Sequence, residues 1–600
     1  MVLISLKENM VSSFTAVDYV LFAALLLLSS SIGIYQACRG GSSSTTEALQ
    51  AGKSLNFVPV ALSILASFFS ASTLLGTPAE IYLRGSIYWI SIVGAVLPPF
   101  LGAFVFGPFF HKLNILTVFE YLESRYNGTL IRRIAALLFC LRAVIGAGIV
   151  LYGPATALSA VTPLPTWAAI VATGAVATFY TTIGGMKAVV WTDVFQMLLM
   201  FCGMLAVIIK GSISVGGMNE VWKIADRGGR LKLNNLWSFD PTIRHTFWSL
   251  TIGIFFVWLP PYSVDQQMVQ RFTSTKTLNQ ARLALLFNAP GMAIIISLCC
   301  LTGLVMYARY ENCDPLSSGK ISNSNQLLPY FVMDVLSDAK GLPGLFVACI
   351  LSGALSSISS MLNSLAAVLW KDILSAFVKI EDDKTATKLT KFLVVVFGAF
   401  SIGAAFAVGR LQGTVLQMSL TLNGSLGSPL VGMFLLAVFV PWSGQIGSLI
   451  GSIVGLGISM WLSLGAFVTK PNVLDNLPVS TSGCIVSNIS TVAPVVSTVP
   501  NEVISGIKKF YSLSYLWNTS IGIVLTVFIG MVLSAIFREN HRIRPNMMLS
   551  YLDTFWPCVP KKLRDRCRSR RITSMKMQED DKKAEEKRDK DEETSKNSSQ

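Results

Sequence analysis

An all-α polytopic membrane protein is the fold class this sequence predicts, and three observations predict it. Of 600 residues, 52% are apolar, mean hydropathy is +0.58 and only 14% are charged, against roughly 25% charged in soluble globular proteins. About thirteen apolar runs reach the ~20 residues that a bilayer-spanning helix needs. The runs are continuous rather than alternating, which marks helices and not barrel strands.

In order, the runs lie at 17–37, 56–83, 86–110, 134–160, 166–184, 189–210, 246–264, 283–307, 343–370, 392–409, 414–440, 445–467 and 512–536. The first is too long, and lacks the basic start and small-residue cleavage site, to be a signal peptide. Span 2 contains ALSILASFFSASTLLGTPAE, an apolar run interrupted by small polar residues, Gly76 and Pro78. Span 7 contains IGIFFVWLPPYSVDQ, with Pro260 and Pro261 in mid-membrane. Proline removes a backbone donor and clashes with the preceding turn, so both helices are expected to open locally. Spans 2 and 7 each begin a set of five, so 56–210 and 246–440 are expected to be inverted repeats. Paired broken helices at repeat starts point to a transporter's binding site; the alternative is two kinks that only shape packing. Span 9 adds a serine face, with Ser352, Ser356, Ser357, Ser359 and Ser360 in SGALSSISSMLNS. Hydroxyls and opened carbonyls suit a hard cation such as sodium, although serines equally serve close helix packing.

Basic residues in short loops orient the chain. With the N-terminus outside, Lys112, Arg125, Arg132, Arg133, Lys187, Arg271, Lys276, Arg282 and the lysines from Lys371 to Lys391 fall inside. The loop near 211–245 dissents with Lys223, Arg227, Arg230 and Lys232. Residues 1–540 then form the membrane domain. A cytoplasmic tail, 541–600, is basic first, around Lys561-Lys562-Leu563-Arg564 and Arg566–Arg571, then mixed in charge and expected to be disordered. This topology puts Cys313, Cys484 and the sequon at Asn488 outside, where a Cys313–Cys484 disulfide and a glycan on Asn488 can form. The net charge of +15 lies between spans and in the tail, which gives no nucleic-acid site. AGKS at 51–54 lacks the first glycine of a phosphate loop, Glu47 standing there, so no nucleotide is expected. The cysteines show no zinc spacing, and no span presents a nucleophile–base pair, so the chain is not read as an enzyme.

The run Gly184–Gln196, GGMKAVVWTDVFQ, resembles the sodium:solute symporter signature. TVFEYLESRY (117–126), RHTFWSL (244–250), QMVQRF (267–272) and GLPGLFVACILSGALSS (341–357) are similar to the branch holding multivitamin, monocarboxylate and iodide transporters. FYSLSYLW (510–517) and YQACRG (35–40) look most like its multivitamin member. The resemblance covers about 15–540 and implies a LeuT-type fold of five plus five helices, one leading and two trailing spans. It implies a sodium site on the carbonyls of Ala66, Phe69 and Gly353 with the hydroxyls of Ser356 and Ser357. A second ion or the substrate would lie near Ser70, Ser72, Thr73 and Ser419, walled by Trp258 and Tyr262, or those aromatics only pack the bundle. Asp193 and Asp265 are intramembrane acids, functional by default; the resemblance links Asp193 to cation coupling, and Asp265 replaces a usual asparagine. Gly146, Thr73 and Ser428 depart from the iodide relative, which disfavours iodide. Arg142, in LLFCLRAVIGAG, shares a helix face with Gly146. Its fork matches a carboxylate, with room left at Gly146; snorkelling to the cytoplasmic interface or pairing with an acid in the bundle is the alternative.

The expected function is sodium-coupled symport of a small organic anion, a vitamin carboxylate or a short monocarboxylate, across the plasma membrane. No cofactor is implied; sodium enters as a co-transported ligand. A sodium-linked channel or a sensor of the same fold is the alternative.

Overall fold

A computed structural model of the chain describes residues 14–39, 51–113, 115–183, 186–378, 382–411, 413–469, 476–484, 506–537, 539 and 547–548. These residues are overwhelmingly helical, and their one β-bridge joins Leu55 to Thr275. Nine helices among them are long and apolar enough to cross a membrane, and the bent pair Phe57–Phe68 and Ala71–Arg84, at 54°, makes a tenth span. Three shorter apolar helices, Ala16–Ser29, Thr166–Phe179 and Ser249–Ser263, stand where the sequence places spans 1, 5 and 7.

Burial sorts the spans. The apolar window of span 9 is 89% buried and that of span 11 is 83%, against 39% for spans 6, 10, 12 and 13. Spans 9 and 11 are therefore central, and the others present much of their surface outward. Span 4 (Thr129–Val161) packs on spans 9, 10 and 11, while span 6 (Met186–Val215) packs on the first half of span 2 and on span 9. The serine hydroxyls of span 9 are mostly satisfied inside the helix: Ser359 donates to Ser356 O at 3.0 Å and Ser360 to the same oxygen at 2.7 Å. Such back-bonding lets serine stay helical in an apolar setting.

Both broken spans are present, but neither breaks at its prolines. Span 2 opens at Phe69–Ser70, where Ser70 is extended (φ −77°, ψ 167°) before the helix restarts at Ala71. Pro78 lies inside the restarted helix. Gly76 serves close packing instead, since a β-carbon there would stand 2.4 Å from Leu416 Cβ of span 11. In span 7, Pro260 and Pro261 remain helical within Ile254–Ser263, and the break follows at Val264–Asp265. Proline's fixed φ is compatible with helix; what it removes is a donor. The chain turns where Pro260 O accepts both Val264 N–H (3.0 Å) and Asp265 N–H (3.1 Å). The Asp265 carboxylate then caps the second half, Gln266–Thr273, by accepting Gln267 N–H at 2.9 Å.

Candidate ion and substrate site

The break in span 2 frees backbone oxygens and faces span 9. In a continuous helix Phe69 O would accept Thr73 N–H; here that N–H bonds Ser70 O at 3.0 Å. Gly353 lies against the freed carbonyl: a β-carbon at Gly353 would stand 3.0 Å from Phe69 O and 2.8 Å from Met200 Sδ. Ser357 Oγ bridges the two elements, 3.1 Å from Ser67 O and 3.0 Å from Gly353 O. Ser356 Oγ is buried and has no hydrogen-bond partner among the described residues. Ala66, fully buried, occupies the last turn before the break. The geometry thus gathers Phe69, Gly353 and Ser357 and adds the Ser67 carbonyl. Sequence reasoning missed Ser67, whose visible signal was its place in the serine-rich stretch before the break.

Beside these oxygens lies a cavity of ≈ 120 Å³, bordered by Ser70, Ser72, Thr73, Arg142, Trp258, Asp265, Ser357 and Ser419 among others. Ser70 and Ser72 pair through their hydroxyls at 2.7 Å, and Thr73 Oγ1 donates to Phe68 O at 3.1 Å. Trp258 meets the Phe68 ring edge-on at 5.0 Å. Tyr262 does not line the cavity. It is fully buried behind Phe68, 4.9 Å between ring centres, and its hydroxyl donates to Asn288 Oδ1 at 3.3 Å. Nor is there room at Gly146: a β-carbon there would stand 2.7 Å from Asn423 Oδ1, so a span-11 carboxamide fills that space.

Both intramembrane acids are paired. Asp265 Oδ2 accepts from Arg142 Nη1 at 2.6 Å, so the bundle-pairing alternative for Arg142 holds in this conformation. Asp193, fully buried, accepts from Arg271 Nη2 at 3.0 Å and from Ser63 Oγ at 2.5 Å. Arg271 also donates to Ser63 Oγ at 2.8 Å and to Ser360 Oγ, tying spans 2, 6, 7 and 9 together. A buried pair of this kind is worth little over an apolar substitute, yet removing one partner strands the other's charge.

A third charged cluster lies at the far end of span 2, near Arg84. Glu80, buried in span 2, accepts from Arg244 at 2.8 Å and from Arg84 at 3.0 Å, and Arg244 also donates to Gln417 of span 11 at 3.1 Å. His245 Nε2 lies 3.5 Å from the Glu80 carboxylate, and Tyr88, 5.4 Å from its ring, borders the cavity. Burial pushes the His245 imidazole down to about 3, against the opposing pull of Glu80. Glu80 is a lone acid in an apolar run with Arg84 four residues on, a signal the sequence carried unread. At the same end, Leu477 N–H bonds Leu83 O at 2.8 Å and a disulfide joins Cys313 to Cys484. Asn488 and most of the tail lie outside the described residues.

Residues 49–455 match the family described as the sodium:solute symporter family. The chain is 42% identical over 539 residues to the sodium-coupled monocarboxylate transporter 1 of Mus musculus, covering 87% of each chain. It is 39% identical over 563 residues to the sodium-dependent multivitamin transporter of Oryctolagus cuniculus, covering 93% of this chain and 87% of that one. A solved Na+-coupled sialic acid symporter, in a substrate-bound outward-open state, shares the fold with a TM-score of 0.71 at 23% identity, covering 88% of this chain and all of that one. The all-helical bundle, its two broken spans and these matches lead to one assignment: the chain is a multi-pass membrane protein that belongs to the sodium:solute symporter family.

Proposed function

We propose that the protein takes up a small organic anion with sodium by alternating access. The observation that carries this is the bridge of Ser357 between Ser67 O at the span-2 break and Gly353 O of span 9. An ion held by the Ala66, Phe69 and Gly353 carbonyls and the Ser356 and Ser357 hydroxyls draws those two spans together. The substrate, or a second ion, sits among Ser70, Ser72, Thr73 and Ser419, with Trp258 on the wall. Residues 56–210 and 246–440 are the two inverted repeats, and one bundle built from both rocks against the other, within a membrane domain of 1–540. The protein lies in the plasma membrane with its N-terminus outside and the 541–600 tail inside. That orientation puts the Glu80–Arg244 cluster and the Cys313–Cys484 disulfide on the outer side.

The named relatives carry monocarboxylates or vitamins. A cavity of ≈ 120 Å³ is well below the ~300–1,000 Å³ of drug-sized sites, which supports the short-monocarboxylate end of that class. If two sodium ions accompany one monoanion, one net charge moves, worth ~2.3 kcal/mol at 100 mV. A tenfold sodium gradient adds about 1.4 kcal/mol per ion. Together these drive accumulation of several thousandfold, beyond any passive carrier.

Sodium-driven uptake of labelled lactate and biotin into proteoliposomes, each competing with the other, tests the reading. Concentrative uptake that needs the sodium gradient supports it. Binding without uptake would make the protein a sensor, and currents far above the uptake rate would make it a channel.

A further inference from the structure

Arg142 and Asp265 are the two charged side chains that border the cavity among the described residues, and they meet at its wall from span 4 and the span-7 break. Their contact is a single 2.6 Å bond from Nη1 to Oδ2. A guanidinium can grip a carboxylate with two parallel donors, yet Arg142 Nε, buried beside Gly427, has no hydrogen-bond partner among the described residues. Asp265 has its other oxygen committed to the Gln267 N–H at 2.9 Å. Its carboxylate therefore holds Arg142 by one prong while fixed to the backbone of the restarted helix.

We propose that this pair is a carboxylate-exchange site: the substrate's carboxylate displaces Asp265 from Arg142, and the released Asp265 oxygen becomes a ligand for a co-transported cation. The proposal rests on the anion-symport reading above and goes beyond it by linking the two ligands through one arginine. Charge demands the link. The pair alone is neutral, so a monoanion entering with no companion leaves one uncompensated negative charge in a low-dielectric cavity, which is strongly unfavourable. Asp265 freed from Arg142 supplies an anionic oxygen, and the hydroxyls of Ser70, Ser72, Thr73 and Ser419 on the same cavity supply neutral ones for a hard cation. Anion binding thus creates the cation site, and cation binding favours the exchanged state by the same factor.

The experiment compares the wild-type chain with Asp265→Asn, measuring charge moved per carboxylate and the sodium dependence of uptake. Exchange requires that, without sodium, Asp265→Asn bind lactate at least as tightly as wild type, because Arg142 is no longer occupied. It also requires that each lactate carry one charge less and that sodium activation become less cooperative, with Asp265→Glu restoring both. Arg142→Gln should raise the lactate half-saturation tenfold or more and, because Asp265 is then released without lactate, should raise the amount of sodium bound in the absence of lactate. An Asp265→Asn chain with wild-type charge per lactate and wild-type sodium cooperativity overturns the proposal. Should that variant not reach the membrane, labelled-sodium binding to purified wild type decides: exchange requires more sodium bound with saturating lactate than without, and equal amounts overturn it. Wild type that shows no sodium-driven carboxylate uptake at all would sink the symport reading itself, and the exchange with it.

Discussion

Replacing Ser357 by alanine removes one hydroxyl oxygen from the place where span 9 meets the opened span 2. In the folded chain that oxygen lies 3.1 Å from Ser67 O and 3.0 Å from Gly353 O. Its one proton is shared between the two carbonyls, a neutral bond worth about 1 kcal/mol to stability, and the side-chain volume hardly changes, so surface expression should survive. Its interaction with an ion is larger. Taken as a hydrogen bond to a charged group, it is worth roughly 1.5–3 kcal/mol, which raises the sodium needed for half-maximal uptake about ten- to a hundredfold. The assay is a sodium titration of lactate uptake at saturating lactate, normalised to protein at the cell surface. Ser364→Ala is the control, since Ser364 Oγ donates to Met361 O at 2.9 Å, two turns farther along span 9. A Ser357→Ala chain with unaltered sodium dependence, or a Ser364→Ala chain shifted equally, would refute the placement of the ion.

Gly353→Ala should shift sodium activation by tenfold or more, because its β-carbon would press to 3.0 Å on Phe69 O and overpacking of this kind costs about 1–3 kcal/mol; normal sodium activation would remove Gly353 from the site. Glycosidase sensitivity should vanish with Asn488→Gln and persist with Asn127→Gln, whose sequon Asn127-Gly128-Thr129 falls inside with Arg125 and Arg132, and the opposite result would invert the topology. Cys313 and Cys484, joined in the structure, should resist an impermeant maleimide until reduced, whereas labelling of both without reductant would contradict the outer placement of an intact disulfide. His245, held neutral down to about 3, binds no proton in the folded protein where an unfolded histidine does, below ~6.5. Its contribution to stability is complete above that value and is lost as pH falls toward 3. His245→Gln should therefore lose less thermal stability than wild type between pH 7 and 4, as followed by tryptophan fluorescence, and parallel losses would be the contrary result.

The helices, the paired breaks and the serine face were legible because each is a local pattern: apolar length, interruption and spacing. The break positions were not. Prolines mark where donors are missing, but the chain opens where a cap and a tertiary contact take over, at Asp265 with its Gln267 cap and at Ser70 against span 9. The charged partners were half legible. Glu80, Asp193 and Asp265, and Arg142, Arg244 and Arg271, stand in or beside apolar runs, and lone charges there must pair. Such charges announce pairing without saying which goes with which, since the partners lie 164, 78 and 123 residues apart.

The pairing that results has a common direction. Each pair joins a residue from the first broken span or its four followers to one at or near the second broken span: Glu80 to Arg244, Asp193 to Arg271, Arg142 to Asp265. An arriving ligand can loosen such a tie only where it can reach it. Asp193–Arg271 is sealed, with side chains 0% and 1% exposed and Ser63 and Ser360 packed around it. Glu80 is likewise 0% exposed and is held by two arginines, so losing either still leaves it compensated. Arg142 is 12% exposed, borders the cavity and holds Asp265 by one bond. Of the three ties between the halves, it is the one that a carboxylate arriving in the cavity can reach and undo.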